Sequence, residues 1–136
     1  MSREILFRGK RTDNGEWVEG WVTSQFKKHT EGELLTRIQS NVFGGGEHLV
    51  DTETVGQYTG LTDKNGKKIF EEDIVKGDRE YFTYAHLYGR VVYDGGQFLI
   101  AFDDALEDIE CLGAWANAVE VIGNFHDNPE LLEVSE

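Results

Sequence analysis

The side chains of this chain that could do chemistry are one cysteine and four histidines, and their spacing does not predict a metal site. They are Cys111, His29, His48, His86 and His126. Structural zinc sites usually draw their ligands from pairs only a few residues apart, and no two of these residues are that close. A Cys–His nucleophile assembled by the fold stays open, because catalytic partners need to be neighbours only in space. The alternative for a lone cysteine is a small buried thiol.

An acidic run in the last third of the chain is the second place where chemistry is conceivable. Carboxylates bind hard cations, but an EF-hand loop requires acids or asparagine at fixed positions and glycine at the sixth. The sixth residue counted from Asp103 is Asp108, so this pattern fails. Counted from Asp63, the fifth and sixth residues are Lys67 and Lys68, so it fails there too. Paired carboxylates could also serve glycoside hydrolysis, for which so short a chain gives no sign of an elaborated cleft.

We therefore interpret the acidic run as a solvated loop, with protein recognition as the alternative, for which Trp115 is a nearby apolar anchor. We expect no catalytic residue, no metal, no cofactor and no enzymatic activity. The candidate interaction residues are Asp103, Asp104, Glu107, Asp108, Glu110 and Trp115.

The charge of the chain is strongly uneven along its length. Residues 1–90 contain all 13 lysines and arginines and 15 acids, whereas residues 91–136 contain 11 acids and no lysine or arginine. The net charge of −13 is therefore concentrated after Arg90. An anionic surface repels nucleic-acid phosphates, so we expect no direct nucleic-acid binding. It would attract a basic protein partner, or it serves only to keep the chain soluble.

Turn residues between short apolar runs predict strands joined by hairpins. Asn14-Gly15 and Asn65-Gly66 readily supply the positive φ angles of tight turns. The strongest hairpin prediction joins residues 90–93 to residues 97–102 through Asp94-Gly95-Gly96. These signals indicate an all-β arrangement more than a helical one.

Strand alternation predicts which side chains of the second strand share a face. Between Glu16 and Thr23 it places Trp17, Glu19 and Trp21 on one side. We predict that the two tryptophans are core residues, because burial of such large rings dominates the energetics of a small domain. The alternative is a ligand platform.

The last third predicts one helical turn, one strand and a short helix. The helical turn lies within residues 103–117, from the loosely helical spacing of Leu106, Ile109 and Leu112. Residues 118–122 are predicted to form the last strand. A short helix follows, capped by Asn128 and opened by Pro129.

The fold class predicted from these elements is mainly β, with a meander or SH3-like barrel-type sheet and a short C-terminal helix. The length of 136 residues is typical of one domain, so residues 1–136 are predicted to form a single domain. The N-terminus lacks the apolar stretch of about 7–15 residues found in a signal peptide, and no run approaches the roughly 18 apolar residues of a membrane span. We therefore expect a cytoplasmic protein without membrane contact.

Several sequence motifs, in this order, resemble the YopX family. They are ILFRGK (5–10), NGEWVEG (14–20), TETVGQYTGLTDKNGKKIFE (52–71), VEVIGNF (119–125) and NPELL (128–132). The resemblance covers nearly the whole chain. It implies a β-rich protein that is encoded by a phage or prophage, and it implies no catalytic residues.

The chain departs from the family pattern at one visible position. Glu72 stands where the family usually has glycine, immediately before Asp73-Ile74-Val75. This departure puts the turn at residues 70–73 in question.

Three hypotheses of function follow. The first is a phage accessory protein that acts in the host cytoplasm by protein–protein contact, including self-assembly into a homo-oligomer. The second is mimicry of DNA charge, which would block a host DNA-binding protein. The third is a small enzyme with an unrecognised site, which a pocket with clustered histidine, cysteine and carboxylate groups would support.

Overall fold

The computed structural model of the chain describes residues 4–27, 32–82 and 86–133. The chain divides into two compact units, Met1–Tyr58 and Thr59–Glu136, and the boundary falls inside one long strand. The single domain expected from the length stays a prediction. In the described part of the chain, no helix has the length and apolar character needed to cross a bilayer.

Strands dominate both units, as the mainly-β prediction requires. They are β1 (Phe7–Arg11), β2 (Trp17–Lys27), β3 (Leu34–Ser40), β4 (Glu47–Thr62), β5 (Lys68–Phe70), β6 (Asp73–Gly77), β7 (Tyr88–Asp94), β8 (Gln97–Ala101), β9 (Ile109–Cys111) and β10 (Val119–Asn124). The helical elements are α1 (Leu112–Trp115) and two 3₁₀ helices, Ala116–Ala118 and Pro129–Glu133. The predicted fold class is confirmed, including the short C-terminal helix that begins at Pro129.

Strand pairing in the first unit closes into a ring. β1 pairs antiparallel with both β2 and β4, and β3 lies between β2 and β4. Because side chains alternate along each strand, every second residue points into the ring. The buried residues Val18, Ile38 and Val50 come from β2, β3 and β4, and they form the core of this unit. The predicted barrel-type pairing is realised here.

The tryptophans of β2 lie on the outer face of the ring, so the prediction that both are core is wrong. Trp21 is 51% exposed, and Trp17 is half-buried with the Arg8 guanidinium 4.8 Å from its ring centroid. The inner face of β2 instead carries Val18 and Gly20, which are both buried. A Cβ atom at Gly20 would stand 1.7 Å from the backbone oxygen of Gln39, so only glycine fits on the inner face there.

The second unit contains an antiparallel sheet with the strand order β10-β6-β7-β8-β9. The predicted hairpin is confirmed as β7 and β8, and Gly95 and Gly96 supply the positive φ angles of the turn. One face of this sheet packs on a core that includes Val75, Val91 and Ile100. The other face carries alternate residues of β7 and β8.

The buried carboxylate of Asp63 organises the turn between β4 and β5. Its Oδ1 atom accepts hydrogen bonds from the backbone N–H groups of Asn65 and Lys67, at 2.8 and 2.9 Å. Its Oδ2 atom accepts a third from Val121 on β10, at 2.8 Å. Burial raises the pKa of Asp63, but the three N–H donors outweigh this effect and hold the pKa below its usual value. The second Asn-Gly turn is thus confirmed, and Asp63 connects it to a strand 58 positions later.

The helical turn predicted within residues 103–117 is confirmed as α1, but it does not include all three residues whose spacing suggested it. Leu106 has a φ angle of +58° in a turn, and Ile109 lies in the extended edge strand β9. The helix α1 begins only at Leu112, whose side chain is fully buried, whereas Leu106 and Ile109 are exposed. The apolar spacing therefore placed the helical turn too early, because, of Leu106, Ile109 and Leu112, only Leu112 points into the core.

A cleft in the second unit as candidate functional site

A cleft of about 800 Å³ opens on the face of the second sheet that is turned away from the core. β7 contributes alternate residues to it, because Val91 between them points into the core. The turn after β8, the end of β10 and the C-terminal 3₁₀ helix supply the rest. The lining residues are Tyr88, Arg90, Val92, Ala101, Phe102, Asp103, Asp104, Leu106, Phe125, Pro129, Leu132 and Glu133.

Arg90 is held against the wall of the cleft by two neighbours. Its Nε atom donates to Glu72 Oε2 at 2.9 Å, and its Nη2 atom lies 2.6 Å from the same oxygen. The guanidinium carbon lies 3.8 Å from the centroid of the Phe125 ring, which is a cation–π distance. Both side chains of the ion pair are largely shielded from solvent, so the charge of Arg90 is compensated by Glu72.

Three carboxylates, those of Asp103, Asp104 and Glu133, also belong to the lining. Asp103 fixes the turn after β8, because its Oδ1 atom accepts from the backbone N–H groups of Glu107 and Asp108 at 3.1 and 3.2 Å. Seven of the lining residues are apolar. The cleft therefore presents apolar and polar surface in similar amounts, and its charged groups are one paired arginine and three acids.

Comparison with protein families matches residues 6–133 to the YopX protein family. The chain belongs to the YopX family. The crystal structure of protein EF1440 from Enterococcus faecalis is similar, with 29% sequence identity and a TM-score of 0.54 over 96% of this chain and 99% of that chain. No curated protein matches the chain significantly. The family resemblance inferred from the motifs is thus confirmed.

The turn at residues 70–73 of this YopX chain forms with glutamate at position 72. Glu72 has a φ angle of +71°, the left-handed region that favours glycine. A bulky residue in this region costs about 1–2 kcal/mol. The ion pair with Arg90 offsets that cost, and the turn places Asp73, which accepts from the backbone N–H of Phe70 at 2.8 Å.

Two substitutions at Glu72 should distinguish the energetic cost of its left-handed backbone from the stabilisation by its ion pair with Arg90. We expect Glu72→Ala to lower the free energy of unfolding by about 1–3 kcal/mol, because it removes the partner of Arg90 and keeps the left-handed backbone. Glu72→Gly removes the same partner but relieves the strain, so it should be about 1 kcal/mol more stable than Glu72→Ala. Urea unfolding of the three proteins measures both differences. Equal stability of the two variants would show that the left-handed backbone costs nothing here.

The structure brings only two of the six predicted interaction residues into the cleft, Asp103 and Asp104. Asp108 lies 2.7 and 2.8 Å from the Nε2 atom of His86 through its two oxygens. Glu107 and Glu110 are exposed outside the lining. Trp115 packs on the core, with its ring 5.0 Å from that of Phe82. A shared interaction surface of all six residues stays a prediction.

Sequence reasoning missed the residues that build most of the cleft in this YopX chain. Tyr88, Arg90 and Val92 share one side of β7, and strand alternation alone indicates that they face the same way. Arg90 carried a second signal, since it is the last basic residue before the acidic block. Phe125 and Leu132 gave no such signal, because nothing in their spacing relates them to β7.

The chemistry of this site differs from that of a metal or nucleophile centre. Among the described residues, no group of three or more histidine, cysteine or acidic side chains is placed to hold a metal ion. The lining includes no histidine and no cysteine. Cys111 is a free, exposed thiol on β9, so the expectation of a small buried thiol is wrong.

Proposed function

We propose that this YopX chain is a phage- or prophage-encoded accessory protein that acts in the host cytoplasm by contact with another protein. The observation that carries the proposal is the cleft of about 800 Å³ in the second unit. Seven apolar lining residues make burial of a partner's apolar side chains favourable, and the acidic groups around them provide selectivity.

The composition of the cleft favours recognition over catalysis. Acyl or phosphoryl transfer commonly uses a nucleophile beside a general base, and the lining offers no histidine or cysteine for these roles, only the carboxylates of Asp103, Asp104 and Glu133 as bases. Its arginine is already paired with Glu72. The hypothesis of a small enzyme therefore gains no support from this cleft.

Mimicry of DNA is less well supported than protein contact through the cleft. A mimic needs acidic groups that stay available in a row for a DNA-binding partner. Asp103 instead accepts hydrogen bonds within its own turn, and Asp108 contacts His86. These hydrogen bonds occupy two carboxylates of the acidic run that motivated the hypothesis of DNA mimicry.

The proposal is tested with a purified partner and a pair of cleft variants. The full tagged chain is expressed in the bacterium that carries it, associated proteins are identified, and each is purified and titrated by calorimetry. The cleft variant Leu106→Ser/Leu132→Ser removes apolar lining, so we expect it to bind the partner about tenfold or more weakly. Circular dichroism confirms that the variant keeps its fold.

A matched variant of exposed apolar residues in the first unit is the control. Val42 and Phe43 are 67% and 104% exposed, and Val42→Ser/Phe43→Ser should leave the affinity within about twofold of wild type. If the partner is a second copy of the chain, sedimentation should show that the cleft variant loses the oligomer. Unchanged affinity and unchanged oligomeric state of the cleft variant would contradict the proposal.

A further inference from the structure

The charges around the cleft do not cancel. The one basic residue of the lining, Arg90, is already neutralised by Glu72, which lies outside the lining. Asp103, Asp104 and Glu133 remain as three negative charges. Within the described ranges, neither Asp104 nor Glu133 has an ion-pair partner. The cleft therefore has a negative potential that a cationic occupant would relieve.

The rest of the lining suits the carbon skeleton of a basic side chain and its apolar neighbours. Lysine and arginine have long aliphatic stems that pack on apolar surface while the charged end reaches a polar rim. Leu106, Pro129 and Leu132 provide such surface. The cleft already accommodates one guanidinium in this way, since Arg90 lies on the ring of Phe125 while its charge faces a carboxylate.

We propose that the occupant of the cleft is a short polypeptide segment of a partner in which basic and apolar side chains alternate. Its lysine or arginine lies near Asp104 and Glu133, and its apolar side chains pack on Leu106, Pro129 and Leu132. The inference rests on the proposed function, because it specifies what the same cleft recognises. An acidic or purely polar segment would be repelled or would leave the apolar lining in water.

Three labelled peptides of equal length test the chemistry of the occupant. One alternates lysine with leucine, one glutamate with leucine, and one lysine with serine. Fluorescence anisotropy measures their binding to the full chain at low and at moderate salt. We expect binding of the lysine–leucine peptide alone, weaker at moderate salt because the charges are screened. Equal binding of either other peptide, or no binding of any, would overturn the inference.

Two charge-reversed variants distinguish the effect of the charges in the cleft on peptide affinity from the effect of the overall negative charge of the chain. Asp104→Lys/Glu133→Lys reverses two charges in the lining, whereas Glu53→Lys/Glu80→Lys reverses two exposed charges outside it. The net charge changes equally in both. We expect the first variant to bind the lysine–leucine peptide about tenfold or more weakly, and the second within about threefold of wild type.

The possible outcomes keep this inference distinct from the proposed function. Equal losses of affinity for the lysine–leucine peptide in the two charge variants would mean that the peptide is attracted by the overall negative charge. This result would overturn the inference. The serine variant of the cleft is judged against the natural partner, not against these peptides. One further outcome is that the serine variant no longer binds the natural partner, while the two charge variants bind equally and the three peptides bind equally. In that case the partner contacts the cleft, but the segment that occupies it is not basic.

Discussion

Replacement of Asp63 by alanine is expected to lower the free energy of unfolding by about 3–5 kcal/mol. Asp63 is only 3% exposed, and its carboxylate accepts three backbone hydrogen bonds from two parts of the second unit. Alanine would leave those N–H groups buried without an acceptor. Each such group costs about 1–3 kcal/mol, and partial rearrangement of the turn explains why the sum is not larger. Urea unfolding followed by circular dichroism measures the change.

Asp63→Asn tests whether the charge as well as the shape matters. The carboxamide keeps one accepting oxygen, so we expect a smaller loss, of about 1–3 kcal/mol. The folded-state pKa of Asp63 is lowered, so its contribution is fully present above the unfolded pKa of about 4 and is lost as the pH falls through the folded value. The wild type should therefore lose more stability than Asp63→Asn between neutral pH and about pH 3.

Asp13 provides a control, because it is an aspartate beside the first Asn-Gly turn whose side chain is exposed. Its carboxylate pairs with Arg11 at 2.7 Å, but its side chain is 65% exposed. An exposed pair contributes little, so Asp13→Ala should leave the unfolding midpoint nearly unchanged. Identical pH dependence of wild type and Asp63→Asn would refute the role assigned to Asp63.

Gly20→Ala is expected to be the most damaging single-methyl addition in the first unit. The new Cβ atom would meet the backbone oxygen of Gln39 at 1.7 Å and the backbone nitrogen of Asn41 at 3.1 Å. Both are main-chain atoms beside the pairing of β2 with β3, so relief requires that the strands separate. We expect a loss of more than about 3 kcal/mol, or a first unit that fails to fold.

The measurement for Gly20→Ala is the fluorescence and near-ultraviolet dichroism of the tryptophans, together with urea unfolding. Gly113→Ala is the control, because its new Cβ atom would have only the Cys111 sulfur nearby, at 3.7 Å. Alanine also favours the helical conformation of α1, so this variant should be unchanged or up to about 1 kcal/mol more stable. A Gly20→Ala protein as stable as Gly113→Ala would disprove the close approach of β2 and β3.

Local residue patterns were sufficient to predict most strands and turns. Asn65-Gly66 and Asp94-Gly95-Gly96 supply positive φ angles that few other residues adopt, so turns were predicted correctly at both places. The alternation in residues 97–102 likewise identified β8. A helical turn within residues 103–117 was predicted correctly, but the apolar spacing did not reveal that, of Leu106, Ile109 and Leu112, only Leu112 is buried.

The cleft could be predicted only in part. Asp103 and Asp104 were identified by their charge, which is visible in the sequence. Arg90, Phe125 and Leu132 come from a strand, a strand end and a 3₁₀ helix, and only tertiary packing brings them to one lining. A contact between two residues that are far apart in the chain produces no periodic pattern in the sequence, so a single sequence does not reveal it.

The sequence by itself determined the β class, the hairpins, the family and the concentration of negative charge after Arg90, because each depends on local residue type or order. Tertiary structure decided which residue fits at position 20 of β2, since a Cβ atom there would meet the backbone oxygen of Gln39. It also decided how Glu72 occupies a position usual for glycine, through an arginine 18 residues away. Both outcomes depend on atoms that are remote in the chain and in contact only once it has folded.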